Sequence, residues 1–148
     1  MEIYVINPDN NKPIPIDEWK KESNPTRAEF VAIRIDGGTL IIKKNLLGRH
    51  TFEEAEKACA NLDPIGEARF RMPTRKECID IYDARFQGLD EAIELVCGDP
   101  LTCCIWTCER DTDPRFNVDY AWNFSGYNGG LLISSVYGAY QVGAVSLL

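Results

Sequence analysis

The sequence predicts an α+β protein in which two main helices pack against a twisted antiparallel sheet, with an N-terminal hairpin and long loops. Three observations predict this fold class. Alternating apolar residues around a Gly-Gly pair predict the hairpin, and two later segments carry apolar residues at helical spacing. From Cys103 onward, the apolar pattern changes to a period of two, and glycines separate the segments, as in antiparallel strands.

The domain organisation follows from length and proline content. The chain has 148 residues, which is enough for one domain with a substantial hydrophobic core, and we expect that domain to span residues 29–148. Residues 1–28 hold four of the eight prolines, which is typical of a surface arm or an edge segment. Trp19 is interpreted as a packed side chain that holds this segment to the domain, with a ligand platform as the alternative.

Charge and hydropathy exclude several classes of partner. The formal net charge is −7, so an acidic surface should repel the phosphate backbone of a nucleic acid. No stretch approaches the ~18 apolar residues of a membrane span. The first residues lack the basic and apolar regions of a signal peptide, which predicts a cytoplasmic protein. Exposure on a cell surface or a virion is the alternative, if a leader has been removed or the protein is phage-encoded.

The hairpin is predicted over residues 29–44. Residues 29–36 form one strand, with Val31, Ile33 and Ile35 on one face, and residues 39–44 form its partner. Gly37 and Gly38 are expected to make a two-residue turn between them, because such turns need positive φ. Residues 45–50 are expected to form a loop.

Two helices follow, each predicted to begin with a capping box. Thr51 and Glu54 have the required spacing at the start of residues 51–62, as do Thr74 and Glu77 at the start of residues 74–86. Pro73 disfavours helix in the residue before it, so the chain should reach the second helix extended. A third, short helix is predicted over residues 89–97, with Gly98 as its stop. The predicted apolar positions are Phe52, Ala55, Cys59 and Leu62 in the first helix, Cys78, Ile79, Tyr82 and Phe86 in the second, and Leu89, Ile93, Val96 and Cys97 in the third.

The C-terminal segment is predicted to form strands near residues 120–124, 131–137 and 141–147, with glycines in the turns between them. No charged side chain occurs after Asp119, over 29 residues. This composition favours a central sheet that is buried on both faces. A contact surface is the alternative, and it would make the uncharged C-terminal sheet the interface of a homo-oligomer.

A family resemblance rests on the order of several short motifs. They are Phe-Arg-Met-Pro-Thr at residues 70–74, Ile-Trp-Thr at 105–107, Tyr-Ala-Trp at 120–122 and Val-Gly-Ala-Val at 142–145, preceded by the Gly-turned hairpin. In this order, residues 29–147 resemble the bacterial Lcl C-terminal-like domain family, a branch of the C-type lectin-like superfamily. The Arg-Met-Pro-Thr step is the most specific element of the likeness, since the family tends to have Trp-Arg-Leu-Pro-Thr there.

The resemblance implies a C-type lectin-like fold whose long loops carry recognition. The family is associated with binding and adhesion at surfaces rather than with catalysis, and related folds serve as receptor-binding tips of phages. The sequence departs from calcium-dependent lectins, because Phe124 follows Trp122-Asn123 and the Glu-Pro-Asn or Gln-Pro-Asp triplet is absent. It also lacks a cysteine in the last strand to pair with Cys59, and Gly143 stands where relatives often have arginine.

The candidate ligand-binding residues lie in the loops of residues 109–130. This stretch mixes aromatic and amide side chains, which supply large contact area and adaptable hydrogen bonds, as in antibody loops. The alternative is that its aromatic residues divide between core and surface. The candidates are Asn117, Tyr120, Trp122, Asn123, Tyr127 and Asn128.

The cysteines favour packing over chemistry. Cys104 and Cys108 would point the same way on a strand but lie ~13 Å apart, so they need a bend to share a metal or a disulfide. Small buried thiols are the favoured interpretation, including Cys59 and Cys78. A zinc site, or a bridge from Cys97 to Cys103 or Cys104, is the alternative.

The remaining polar residues do not define a catalytic site. His50 is the only histidine, and an enzyme would need it as a base for Cys104 or Cys108. Acidic residues cluster at residues 99–119 without an EF-hand pattern, which favours a solvated loop over a calcium site. We therefore expect no catalytic residues, no metal and no cofactor in a non-enzymatic module that binds a protein or a glycan. A structural or phage-derived assembly subunit and, third, a cysteine-dependent enzyme are the alternatives.

Overall fold

The structure is a computed structural model that describes residues 1–111, 115 and 119–148. It is an α+β fold with two five-stranded sheets and a few helices. This agrees with the predicted fold class, although the strands form two sheets rather than one.

The first sheet is antiparallel throughout and holds strands from both ends of the chain. Its order is β10-β4-β3-β1-β2. The strands are β1 (Ile3–Ile6), β2 (Pro13–Pro15), β3 (Phe30–Ile35), β4 (Gly38–Lys43) and β10 (Val145–Leu147).

The second sheet is mixed and has the order β5-β9-β6-β7-β8. Its pairs are antiparallel except β6 with β9, which run parallel at Ile105 and Gln141. The strands are β5 (Arg49–His50), β6 (Cys104–Asp111), β7 (Tyr120–Ser125), β8 (Leu131–Ser135) and β9 (Tyr140–Gln141).

The helices lie mainly between β5 and β6 in the sequence. Both predicted capping boxes are present, with reciprocal side-chain and backbone bonds at the starts of α2 and α3. In the described part of the chain, no helix is both long enough and apolar enough to cross a membrane. The helices are α1 (Ile16–Trp19), α2 (Phe52–Ala60), α3 (Arg75–Ala84) and α4 (Asp90–Leu95), with a short 3₁₀ turn at Pro25–Arg27 and a π-helical stretch at Arg85–Leu89.

The N-terminal segment is part of the first sheet rather than a separate arm. β1 pairs with β3 on one side and with β2 on the other. Of the two strands in this segment, β2 is therefore the edge strand and β1 is not. Val5 is fully buried in the main hydrophobic cluster. Trp19 is buried as a packed side chain, as predicted, and its Nε1 donates to the carbonyl of Pro25 at 2.9 Å.

The hairpin turn lies one residue earlier than predicted. Ile35 pairs with Gly38, so Asp36 and Gly37 form the turn and Gly38 begins β4. Gly38 has a φ of +146°, and a Cβ there would collide with the carbonyl oxygen of Leu148. The second glycine is therefore required by the close approach of the C-terminal strand, which the hairpin sequence alone does not reveal.

Val31 and Ile33 share one face of the first hairpin strand, as predicted, but the opposite face is buried as well. Val31, Ala32 and Ile33 are all fully buried. The sheet lies between two hydrophobic clusters, one containing Val31 and Ile33 and the other containing Ala32 and Phe52. Both faces are covered, as in a central layer, because α3 and α4 contribute to the first cluster and α2 to the second.

The second and third helices differ from their predicted apolar rows. Ile79 and Phe86 are exposed, whereas Ile81 is buried. The π-helical stretch changes the direction of the helix at Gly88, which has a φ of +122° and packs against Ile3. At the end of α4, Cys97 is exposed and has a φ of +58°, so it takes the left-handed position that was expected at Gly98.

The uncharged C-terminal segment is not one buried sheet. β7 is largely buried, but β8 is an edge strand with exposed apolar side chains. The predicted strand over residues 141–147 is divided between β9 in the second sheet and β10 in the first. Between these two strands, Val142 and Ala144 are fully buried where the chain passes from one sheet to the other.

Candidate functional site

The step of residues 70–77 joins the two sheets. The backbone of Arg71 pairs with Val145 of β10 through two hydrogen bonds, of 2.9 and 2.8 Å. The carbonyl of Pro73 accepts a 2.9 Å hydrogen bond from the amide of Cys108 in β6. This bond is made where β6 leaves its register with β7, between Trp106 and Arg110. The step therefore fixes the start of α3 against a strand of each sheet.

A bidentate ion pair holds the step in place. Arg71 Nη1 and Nη2 donate to Glu77 Oε1 and Oε2 at 2.6 and 2.9 Å, and the amide of Thr74 donates to Oε1 at 2.9 Å. Burial alone would raise the pKa of Glu77, but these hydrogen bonds outweigh it and hold the pKa below its ordinary value. Glu77, which completes the capping box of α3, is thus also the counter-ion of Arg71. The ion pair therefore has a structural role.

A second ion pair lies beside the predicted contact residues. Arg75, at the start of α3, donates its backbone amide to Glu109 Oε2 at 2.6 Å and its Nε to the same oxygen at 3.2 Å. Its guanidinium carbon lies 4.6 Å from the ring centroid of Trp122 in β7. The amide of Arg75 and then its side chain lower the pKa of Glu109. A cation, an anion and an indole ring therefore meet on one surface, which we call the Trp122 surface (Arg75, Glu109, Trp122).

The sequence predicts Trp122 but not its two charged neighbours. Trp122 is half-buried, its carbonyl accepts a 2.9 Å bond from Thr107 Oγ1, and its cross-strand neighbour in β8 is Ile133. The sequence predicts Glu109 in a solvated acidic loop and gives no role to Arg75. The two charged residues meet because the first turn of α3 lies close to β6 in the folded protein. This contact is long-range, and no local sequence pattern encodes it.

The other predicted contact residues separate into three groups. Tyr120 is half-buried at the start of β7, opposite Ser135. Tyr127 is exposed at the tip of the turn between β7 and β8, with 78% of its surface accessible. Asn128 is in the same turn, where its Oδ1 accepts from the amide of Gly130 at 2.9 Å and so shapes the turn. Asn117 lies outside the described residues.

Asn123 is fully buried, which removes it from the surface that a ligand can contact. Its Nδ2 donates to Ser134 Oγ at 2.6 Å, and that hydroxyl lies 2.9 Å from Tyr140 Oη. Within the described residues, its Oδ1 has no hydrogen-bond partner. Asn123 faces inward because it pairs with Trp106, which is buried against Phe52 and Tyr140.

All six cysteines are free, so the alternative bridge from Cys97 is absent. Cys59 and Cys78 are buried, as predicted, and burial raises the pKa of the Cys59 thiol to about 12. Burial also raises the pKa of Cys108, although Arg71 acts in the opposite direction. These thiols are therefore held in the protonated form at neutral pH.

His50 is used in packing the second sheet. Its ring Nε2 lies 2.9 Å from the carbonyl of Leu47, to which it donates, and its own carbonyl accepts from Trp106 Nε1 at 2.8 Å. No hydrogen bond within the described residues joins this ring to a cysteine. The geometry gives no support to His50 as a base for Cys104 or Cys108.

The acidic residues of the predicted solvated loop have several structural partners. Asp99 Oδ2 accepts from the amide of Leu46 at 2.9 Å, and Asp119 lies 3.7 Å from Arg110. Asp113 lies outside the described residues. No group of three or more His, Cys, Asp or Glu in the described ranges could hold a metal ion.

Two cavities lie away from the Trp122 surface. One of about 580 Å³ is between α4 and the start of β6, where Arg85, Asp90 and Cys97 contribute to its wall. Another, of about 340 Å³, has Cys103 and Cys104 in its wall. Among the residues that the structure describes, none of the predicted contact residues lines either cavity.

The structure thus defines an α+β protein with two sheets and an exposed aromatic and ionic surface beside α3. No protein-family model matches the chain, and no curated protein matches it.

Proposed function

We propose that this protein is a non-enzymatic recognition module with a C-type lectin-like fold, related to the Lcl C-terminal-like domains. It binds a protein or a glycan through the segment of residues 109–130, which includes β7 and the turn after it, and through the rest of the Trp122 surface. The single observation that carries the proposal is the stacking of Arg75 on Trp122, with Glu109 held beside both.

The chemistry of this surface suits recognition. The accessible part of the half-buried indole ring offers apolar area to a sugar ring or an aromatic side chain, while the guanidinium over it and the carboxylate offer hydrogen-bond donors and acceptors. These groups are mutually paired, so they are held in fixed positions before a ligand arrives, which reduces the entropy lost on binding. Tyr127 adds an exposed aromatic ring at the nearby turn.

The family relationship is proposed from the order of the sequence motifs, of which the Arg-Met-Pro-Thr step is the most specific. The Arg-Met-Pro-Thr step begins α3, and Arg71 pairs with Val145 near the C-terminus.

The same structure gives little support to cysteine-dependent catalysis. A nucleophilic cysteine needs a lowered pKa or an adjacent base, whereas burial raises the pKa of Cys103 and of Cys108. The His50 ring is committed to the Leu47 carbonyl. The second candidate function is a structural or phage-derived assembly subunit, and the exposed edge strand β8 is the observation that favours it.

The test is a binding screen of the purified protein against a glycan array and a panel of surface proteins. Trp122→Ala and Tyr127→Ala should each weaken binding to a ligand found in this way by about tenfold or more, as expected for aromatic anchors at about 1.4 kcal/mol or above. Tyr137→Ala is the matched control, because Tyr137 is 75% exposed but lies outside residues 109–130. Full binding by the Trp122 and Tyr127 variants would contradict the proposal.

A further inference from the structure

The β8 strand has an open edge. Among the residues that the structure describes, the second sheet ends at this strand, and β7 is its only partner, over five consecutive positions. Flanking hydrogen bonds, from Ser125 to the Gly130 carbonyl at 2.8 Å and from Val136 to the Asp119 carbonyl at 3.1 Å, set the alternation of the ladder. Even-numbered residues of β8 therefore face β7 with their backbone groups, whereas Leu131, Ile133 and Ser135 point theirs outward. The outward carbonyl of Ser135 accepts from the amide of Gly138 at 3.0 Å and would have to accept a second bond from another strand.

The other sheet edges are protected in ways that β8 is not. Edge strands are normally shielded by prolines, charges, shortness or a covering segment. In the first sheet, β2 carries Pro13 and Pro15, and β10 is bridged to Arg71 on its outer side. In the second sheet, β5 is only two residues long and contains Arg49. β8 has five residues without a proline, a charge or a register shift.

Both faces of β8 present apolar side chains to solvent. Leu132 is 57% exposed on one face, and Ile133 is 40% exposed on the other. The strand is flanked by two exposed rings, Tyr127 before it and Tyr137 after it. An exposed apolar edge with unpaired backbone groups is a template for another strand.

The distribution of charge favours a second copy of the chain as that strand. The whole chain has a net charge of −7, so two copies repel each other through most of their surfaces. Residues 120–148 contain no charged side chain, so pairing two copies of this edge places no like charges opposite one another. The edge also has no charged side chain that would select a partner of opposite charge.

We propose that two copies of this protein associate by antiparallel pairing of their β8 strands about a two-fold axis at Ile133. In this register, Ile133 faces its own copy, Leu132 faces Ser134, and Leu131 faces Ser135. The outward-pointing residues then form the hydrogen-bonded pairs, as the alternation requires. The contact is isologous and closes after two copies, joining the second sheets into one continuous sheet.

The test measures oligomeric state by analytical ultracentrifugation over a wide range of protein concentration. The wild-type protein is expected to be a dimer. Ile133→Pro removes an outward N–H that the monomer does not use, and Ile133→Lys places like charges at the axis, so both variants are expected to be monomers. Ile79→Lys is the matched control, because Ile79 is an exposed isoleucine, at 45%, on α3 rather than on β8, and it should remain dimeric.

Circular dichroism and thermal unfolding establish that each variant is folded, and Ile133→Lys decides the question if the proline variant is not. Hydrogen exchange supplies a second readout, because the amide of Ile133 should become protected as the protein concentration rises. A wild-type monomer at all concentrations, or dimers that survive both substitutions at Ile133, would overturn the proposal. The association goes beyond the proposed recognition function and needs no ligand, so either proposal can fail without the other.

Discussion

Arg71 and Glu77 form a two-pronged ion pair, with bonds of 2.6 and 2.9 Å, across the residues that start α3. Glu77 also completes the capping box with Thr74, so one carboxylate fixes both the helix start and the preceding extended residues. Since the backbone of Arg71 pairs with Val145, the same carboxylate indirectly holds the last strand of the first sheet.

Glu77→Gln should lower the free energy of unfolding at pH 7 by about 1–3 kcal/mol, because a charged hydrogen bond to a guanidinium is replaced by a neutral one. The pKa of Glu77 is lowered in the folded protein, so its contribution is complete above the pKa of an unfolded glutamate, ~4.3. It is lost as the pH falls through the folded value. Urea unfolding of both proteins between pH 7 and pH 3 measures the effect.

The difference between wild type and Glu77→Gln should therefore shrink as the solution becomes acidic. Glu53→Gln is the control, because Glu53 is an exposed residue in the first turn of α2 and pairs only with Lys57 at 3.4 Å. Its effect should stay below about 0.5 kcal/mol. Equal losses in the two variants would show that the Arg71 pair adds nothing specific.

Thr51→Ala should destabilise the protein by about 1 kcal/mol, since it removes the acceptor for the amide of Glu54 at the start of α2. Thr51→Ser keeps the hydroxyl oxygen and should retain most of the stability. Thermal unfolding of the three proteins measures this difference. A serine variant as unstable as the alanine variant would show that the methyl group, and not the cap, is responsible.

Arg75→Gln should raise the pKa of Glu109 towards the ordinary value of a glutamate. The rise should be partial, because the backbone amide at position 75 is the main cause of the lowered pKa and is retained. A carboxyl-carbon NMR titration measures the pKa directly. An unchanged pKa would mean that the side-chain bonds of 3.2 and 3.4 Å contribute nothing to the Trp122 surface.

Cys97 should be the first thiol to react with iodoacetamide in the folded protein, because it is exposed while Cys59 and Cys78 are buried. The buried thiols should react only after unfolding, since burial raises their pKa and blocks access. Mass spectrometry of alkylated peptides identifies the order. Cys97→Ser should remove the fast phase, whereas a fast phase at Cys104 or Cys108 would favour the cysteine-dependent enzyme instead.

The elements that could be predicted are those encoded by residues close together in the sequence. Both capping boxes are encoded within four residues each, and the structure contains both. The turn of the first hairpin lies one residue earlier than predicted, and the need for glycine at position 38 is non-local, because the carbonyl of Leu148 approaches it from a distant part of the chain. The division of residues 141–147 between two sheets is equally non-local, since it depends on which strand each half finds as a neighbour.

The candidate site shows the same limit. Residue type and position predict Trp122 as a contact residue. They do not predict that Arg75 stacks on its ring. Asn123 is a residue type that is common in ligand contacts, and yet its side chain is buried. Cross-strand pairing with Trp106 turns it towards the core. Side-chain direction in a strand alternates, so an error of one position exchanges surface for interior.

The first sheet contains both β1 and β10, and this has a consequence for biosynthesis. β4 emerges from the ribosome long before its partner β10, because β5 to β9 all lie between them in the sequence. Until then, the outer edge of β4 has no neighbour, and every strand of the second sheet must be made first. The nascent chain therefore carries an incomplete first sheet while the whole second sheet is being made, and chaperones would have to shield the open edge of β4 during that period.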